Sequence, residues 1–399
     1  MAETVVLAFS GGLDTSVIAH RLAYEQGYDV IAVLADVGQK EDLTQAAKRA
    51  EAASVHELVV SNLQEEFAED YLVPAVAANA LYESRYPLIS SLSRPCIASE
   101  LVRVARSYGA TKIAHGCTGK GNDQLRFEVS ISALYPSCEI LAPARDFPVS
   151  REQAVAYAQK HGIPVTATKE SPYSVDENLW GRTVECGPLE DPWAAPPEDA
   201  FSITADPEHV VLAPCDVVVG FEEGRPVAID GKKRSLVELI ELIGDVGGRY
   251  GFGRVDMIEN RRVGIKSREV YEAPAALALI EAHRDLESLT LERDLAHEKA
   301  LLEPVWSQLV YDGMWHSPLR QSLQAFFNET QKRVEGEVRL RYSAGRCQPT
   351  GRRSRFALYI EDLATYDERD RFDHADAAGY VRVFSLPVRT WAERSIVDE

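Results

Sequence analysis

From Thr4 to about Pro164, short β-branched runs alternate with longer amphipathic stretches, a rhythm that predicts strand and helix repeats in a parallel sheet. TVVLAFS, YDVIAVLA, VHELVV, KIAHG and CEILAP read as five strands. Helical stretches such as DTSVIAHRLAYEQG, EDLTQAAKRAEAA and RPCIASELVRVARSYG lie between them. The expectation is a doubly wound α/β domain. The rhythm breaks near Pro164, and five prolines from Pro188 to Pro207 predict irregular, surface-hugging chain. Beyond them VVLAPCDVVVGF and RPVAID read as strands and SLVELIELIGDVG as a helix. A long helical region from Ala275 to about Leu309 and strands between 333 and 361 complete an α+β second domain. The terminal run DHADAAGYVRVFSLPVRTWAERS is amphipathic but carries Pro387, so it reads as a kinked helix or a short one. The expected domains are therefore 1–165, 166–365 and a terminal segment 366–399.

Composition narrows the function classes. Of the 399 residues, 45% are hydrophobic and 26% charged, which excludes disordered, collagen-like and coiled-coil chains. Lys and Arg number 43 against 62 Asp and Glu, and the net charge of −19 has the wrong sign for a surface that neutralises phosphate backbones. Nucleic acid is not an expected partner. No stretch of about 18 apolar residues and no basic leader is present, so neither a membrane nor secretion is expected. The six cysteines include no CxxC pair and read as reduced thiols in a cytoplasmic protein. The nine histidines form no HxxxH or HExxH pair, so no transition-metal site is expected.

Two segments carry chemistry. AFSGGLDTS, Ala8 to Ser16, joins an apolar strand to a helix, and the carboxyl edge of a parallel sheet is where ligands sit. Ser10, Gly11 and Gly12 let backbone N–H groups approach a phosphate, with the helix N-terminus adding partial positive charge. The loop lacks the lysine of a GxxxxGK[ST] P-loop and the spacing of GxGxxG. The bland alternative is a tight turn capped by Asp14 and Ser16. HGCTGKGNDQLRF follows the fourth strand and opens a helix. Asn122 and Arg126, four apart, share one helical face; Arg126 suits a carboxylate, Asp123 an ammonium group, and Thr118 offers a hydroxyl. Here the alternative is a helix start whose Asn and Asp cap and whose Arg pairs at the surface. GDVGGRYGFG, Gly244 to Gly253, follows a helix and leads into a strand, so it reads as a helix stop and turn, not a nucleotide loop.

SGGLDTS resembles the SGGxDS pyrophosphate-binding loop of the ATP pyrophosphatases, with Thr15 inserted relative to that consensus. Together with VGQKED, ALYESRYPL, HGCTGKGNDQLRFE, PYSVDENLWG and IENRRVGIKSREVYEAP, it is similar to the argininosuccinate synthase family over nearly the whole chain. The resemblance implies an adenine nucleotide alpha hydrolase-like domain, a synthetase domain and a C-terminal helix that assembles a homotetramer. It implies condensation of L-citrulline and L-aspartate with ATP through a citrullyl-adenylate, releasing AMP and pyrophosphate. Carried over by motif, Ala8, Phe9, Ser10, Gly11, Gly12, Leu13, Asp14, Thr15, Ser16, Ala35 and Gly116 would contact ATP. Thr118, Asn122 and Asp123 would hold aspartate. Tyr86, Ser91, Asn122, Arg126, Ser174, Thr183, Glu259 and Tyr271 would hold citrulline, in a cleft between the domains. No protein nucleophile is needed. Asp14 is expected to orient the loop or a Mg²⁺ shell, and Asp123 to orient or deprotonate the incoming amine, with Arg126 the third catalytic candidate. A thiolating or amidating pyrophosphatase would want a cysteine pair or a basic surface, and a nucleotide sensor that had lost its chemistry would show a degraded loop; neither is written here.

Overall fold

The computed structural model describes residues 2–39, 42–164 and 172–395. The boundary expected at 165, and Lys40 and Glu41 of VGQKED, lie outside them.

The first five strands are β1 (Thr4–Ala8), β2 (Asp29–Asp36), β3 (Glu57–Asn62), β4 (Lys112–Ala114) and β5 (Glu139–Leu141). All neighbours pair in parallel, in the order β3-β2-β1-β4-β5. Helices cover both faces, which is why β1 and β2 are buried along nearly their whole length and read as continuous apolar runs. The strand order reverses between β1 and β4. Ligand crevices of open α/β sheets form at that reversal, beyond the strands' carboxyl ends.

The second half adds two antiparallel sheets. The hairpin β6 (Ser174–Asn178) and β7 (Gly181–Glu185) belongs to one of them. Strands β8 (Cys215–Glu222), β9 (Arg225–Ile229) and β10 (Lys232–Lys233) belong to the other. Strands β11 (Arg254–Asn260) and β12 (Lys266–Glu272) complete the first as β11-β12-β7-β6, and β13 (Gly336–Ser343) and β14 (Arg346–Arg353) complete the second as β10-β9-β8-β13-β14. The largest apolar cluster runs from Leu63, Tyr71 and Leu92 through Ile240 and Leu279 to Trp306 and Tyr342. Because this core crosses both halves, Met1–Phe356 is one compact unit, and Ala357–Glu399 is a second.

Several elements depart from expectation. The helix expected from Arg94 begins at Ile89, after a left-handed Leu88, and carries Pro95 inside it. This early start puts Ser90 and Arg94 on one face. The helix SLVELIELIGDVG runs two residues further, to Arg249, before the stop and turn expected within Gly244–Gly253; its Gly247 and Gly248 are sites of close approach, where a Cβ on Gly247 would stand 2.8 Å from Pro274 Cβ and one on Gly248 2.3 Å from the Ile203 carbonyl oxygen. The region 275–309 is two helices, Pro274–Thr290 and Arg293–Tyr311, parted by an extended Leu291. Val210 and Val211 lie before β8, outside any strand. The proline-rich stretch is irregular, with only short 3₁₀ turns. In the second unit, Pro387 divides the terminal run into helices His374–Phe384 and Leu386–Ser395; it sits in the first turn of the latter, where its missing N–H has no helical partner to lose.

Candidate active site

Beyond Ala8 the chain turns through Ser10, Gly11 and Gly12 into the helix Leu13–His20. Gly11 has φ +68°, and a Cβ there would stand 2.8 Å from Ala46 Cβ, so the turn requires glycine. No side chain caps the helix: Ser16 Oγ donates to the Gly12 carbonyl oxygen at 2.7 Å, and Asp14 is exposed. First-turn N–H groups have no intrahelical acceptor, so this end is suited to an anion. An Arg49 guanidinium donates to the Gly11 carbonyl oxygen and ties the turn to the helix Leu43–Ala52.

Two cavities open beside this turn, sharing Ser10, Thr15, Arg94, Gly116, Cys117 and Asp123. One, about 520 Å³, is walled by Ala8 and Phe9 at the end of β1, by Val33, Ala35 and Val37 along and beyond β2, by His115 and Gly116 beyond β4, and by Phe127 of the helix Asp123–Leu134. The other, about 390 Å³, is walled by Asp14, Thr118, Asn122, Asp123 and Arg126 on one side and by Ser174, Thr183, Glu185, Glu259, Glu269 and Tyr271 on the other. The second wall is the sheet β11-β12-β7-β6, whose register sets Thr183 between Asp176 and Tyr271. A larger cavity of about 870 Å³, near Lys232 and Arg249, is lined by none of the candidate site residues read from the sequence.

A chain of charges joins the walls. Asp123 accepts from Arg94 Nε (2.9 Å) and from Arg126 Nη1 (2.8 Å). Arg94 also reaches Asp176 on β6 (2.9 Å), which accepts from Ser90 Oγ. Burial opposes ionisation of Asp123, yet the two guanidinium groups overcome it and hold the carboxyl at about 2. Arg126 donates through Nε to the Tyr311 carbonyl oxygen (3.1 Å) and lies over the Tyr311 ring. The fork expected for a ligand carboxylate is thus partly engaged within the protein. Asn122 donates to Tyr311 Oη (2.9 Å) and accepts from the Arg262 N–H (3.0 Å), so its amide clamps the second half. Tyr311 Oη in turn donates to Glu259 Oε1 (2.9 Å), and Tyr86 stacks on Tyr271 with ring centroids 4.2 Å apart. Burial, followed by neighbouring carboxylates, pushes the Tyr271 and Tyr311 phenols up, so both stay neutral donors. Burial and then Asp123 raise the Cys117 thiol, which keeps it protonated.

Most sequence-predicted residues converge on the two cavities. Gly11 lines an adjoining recess with Asp42 and Arg49. Three predicted side chains are elsewhere: Leu13 packs with Val17 and Ala154, Ser16 serves the helix start, and Ser91 is fully buried away from the cavity walls. The sequence reading missed Arg94, Asp176, Arg261, Glu269 and Tyr311. A signal existed for Glu269. It stands two residues before Tyr271, and Glu259 faces Ser267 in the β11–β12 register, so period-2 alternation puts Glu259, Glu269 and Tyr271 on one face. For Tyr311, 189 positions from Asn122, no local signal exists.

Among the described residues no cluster of three or more His, Cys, Asp or Glu could hold a metal, and no helix is long and apolar enough to cross a membrane. A family model described as arginosuccinate synthase N-terminal HUP domain matches residues 4–164, and one described as arginosuccinate synthase C-terminal domain matches 173–391. The chain is 52% identical over 390 residues to an argininosuccinate synthase of Rubrobacter xylanophilus, covering 98% of this chain and 95% of the relative. It is 50% identical over 394 residues to that of Thermosynechococcus vestitus, covering 98% of each, and 50% identical over 395 residues to that of Geobacillus thermodenitrificans, covering 99% and 96%.

Proposed function

The chain belongs to the argininosuccinate synthase family, and from that membership we propose that it condenses L-citrulline with L-aspartate at the expense of ATP, giving argininosuccinate, AMP and pyrophosphate. The observation that carries this reading is the meeting, at the reversal point of the parallel sheet, of an anion-suited glycine turn and a charged cavity walled by both halves. The ureido oxygen of citrulline is a poor leaving group. Its attack on the α-phosphorus expels pyrophosphate and leaves a citrullyl-adenylate. The aspartate amine then attacks the ureido carbon, and AMP departs with the former ureido oxygen.

Each residue set does one task. The apolar cavity near Ala35 and Gly116 takes the adenosine, and the amides of the Ser10–Thr15 turn meet the phosphates. Thr118 and Asp123 orient aspartate, and Arg126, Ser174, Thr183, Glu259 and Tyr271 orient citrulline. Asn122 serves both by fixing Tyr311 and the Arg262 backbone. Held at about 2, Asp123 is an orienting carboxylate and not a base. Mg²⁺ prefers one or two carboxylates plus substrate phosphates, and the exposed Asp14 beside the turn fits that donor set. When bound, the ion neutralises phosphate charge; Asp14 is the residue to hold it. Phosphoryl transfer is accelerated chiefly by positioning the reactants and stabilising charge, and these residue sets supply both.

We further place domain limits at 165 and 365, a homotetramer built by the segment from about 366, and a cytoplasmic location suited to six free thiols. Tyr380, Phe384 and Trp391 are exposed and leave an aromatic face for a neighbouring subunit to cover. The test is pyrophosphate release from ATP with citrulline and aspartate omitted in turn. Both amino acids should be required for net turnover, with AMP formed; stoichiometric ADP would overturn the assignment.

A further inference from the structure

Glu259 and Glu269 stand together on one face of the β11–β12 hairpin, buried, and both line the polar cavity. They share a single hydroxyl: Tyr271 Oη lies 2.8 Å from Glu259 Oε2 and 3.2 Å from Glu269 Oε2. One O–H cannot donate to both. Glu259 has one further donor, Tyr311 Oη at 2.9 Å. Glu269 Oε1 accepts from Arg261 Nη2 (2.7 Å) and from Ser267 Oγ (3.3 Å). Arg261 is divided, since its Nη2 also pairs with Glu185 on β7 and its Nε stands 4.0 Å from Glu259. Three carboxylates therefore face one adjacent guanidinium. The other described titratable groups packed against them, Tyr82, Tyr86, Tyr271, Tyr311 and the Cys186 thiol, are raised by burial first and are neutral, and the Arg126 guanidinium is already bound to Asp123. Among the described residues, this corner sets three carboxylates against one guanidinium, with Glu259 and Glu269 buried. Such a site selects a cation bearing several N–H donors.

We infer that Glu269 is a second carboxylate, beside Glu259, that holds the α-ammonium group of the first amino-acid substrate, and that the pair keeps a shared proton until the ammonium arrives and displaces it. The inference rests on reading this cavity as the citrulline site. Burial first and Glu259 second push the Glu269 carboxyl up from the ordinary glutamate range, against the pull of Arg261. In the empty site one proton bridges the pair. The incoming ammonium keeps its own protons and donates N–H bonds to both carboxylates, and the bridging proton leaves to solvent. Binding at neutral pH is then accompanied by proton release, and the requirement for an α-amino group is set by two carboxylates.

The experiment is calorimetric titration of citrulline into the full chain at pH 7, with α,β-methylene-ATP present to block adenylation, in phosphate and in Tris. Wild type should show a buffer-dependent heat that reports release of a substantial fraction of a proton per citrulline. The probe 5-ureidopentanoate, which is citrulline without its amino group, should bind more weakly and release none. Glu269→Gln should abolish the release and weaken citrulline about tenfold or more, the range for a hydrogen bond to a charged group, while its affinity for 5-ureidopentanoate stays near wild type. Citrulline binding to wild type with no proton exchange, or release surviving in Glu269→Gln, overturns the inference and leaves the functional reading standing. Failure of citrulline to bind wild type at all overturns the functional reading itself. If Glu269→Gln does not fold, the wild-type comparison of citrulline with its desamino probe decides.

Discussion

Replacing Asp123 with Asn tests whether this carboxylate orients or takes a proton. In the folded chain burial opposes its ionisation, but Arg94 and Arg126 outweigh that and hold it at about 2, below the ordinary aspartate range, a depression worth on the order of 2–3 kcal/mol. The sign is that of a depressed carboxylate: this contribution is present above about pH 4 and is lost as pH falls toward 2. A group of that pKa is a poor base. Taking a proton from the ammonium group of a free amino acid, which titrates many units higher, would be steeply uphill. Asn keeps the shape but removes the charge from between two guanidinium groups. Breaking a buried pair on one side costs about 3–5 kcal/mol, and with the Asp123 side chain 29% exposed the lower end applies. We expect kcat/KM for aspartate to fall about 150-fold, with the wild-type profile showing no limb from this group between pH 5.5 and 8. Pyrophosphate release with aspartate varied across that range measures both, with cooperative melting as the control for folding. A wild-type acid limb between pH 5.5 and 7 that disappears in Asp123→Asn would refute the orienting role.

Gly11→Ala puts a side chain at φ +68° and against Ala46, so it should raise the KM for ATP at least tenfold while the citrulline KM moves far less; equal effects on both would argue against a phosphate role for the turn. Thr118→Ala should retain citrulline-dependent isotope scrambling within ATP while argininosuccinate synthesis falls sharply, whereas Arg126→Ala should lose both; loss of scrambling in Thr118→Ala with ATP binding unchanged would show that the division between substrates is misdrawn. Full-length protein at micromolar concentration should scatter light as a tetramer, and a chain ending before 366 should not; a monomeric mass for the full chain contradicts the role given to the terminal aromatics.

The parallel sheet was legible because strands buried on both faces write continuous apolar runs, as in β1 and β2. The glycine turn was legible because its chemistry is local. The hairpins that build the opposite wall were not, and the reason is functional: β12 reads KSREVYE because its cavity face carries Ser267, Glu269 and Tyr271, so hydrophobic alternation is missing where the site needs polar groups. Of the glycines in 244–253, Gly251 at φ +67° makes the expected stop and turn, whereas Gly247 and Gly248 lie inside the helix where it packs against Pro274 and Ile203. Arg94 lay in a helix whose start was misjudged by five residues, because Pro95 reads as a helix opening. Tyr311 becomes part of the site only through tertiary packing of its helix against Asn122 and Arg126.

The groups that line the polar cavity share one property: nearly all are fixed in a form that does not react. Asp123 is locked as an anion by two cations, the Tyr86, Tyr271 and Tyr311 phenols are held neutral by burial and nearby carboxylates, and Cys117 is kept from becoming a thiolate. A reaction that proceeds by attack of one substrate on another requires no protein nucleophile, and a reactive side chain beside an acyl-like adenylate would divert it. The same contacts that silence these groups also cross between the halves, through Arg94 to Asp176 and through Asn122 to Tyr311 and Arg262. The polar cavity consequently has its shape only when both halves are folded together, which would position in advance the reactants proposed to bind there. Glu269 is the departure from this pattern, a buried carboxylate that shares its described guanidinium partner, Arg261, with Glu185, and in the proposed assignment it faces the ammonium group of the first substrate.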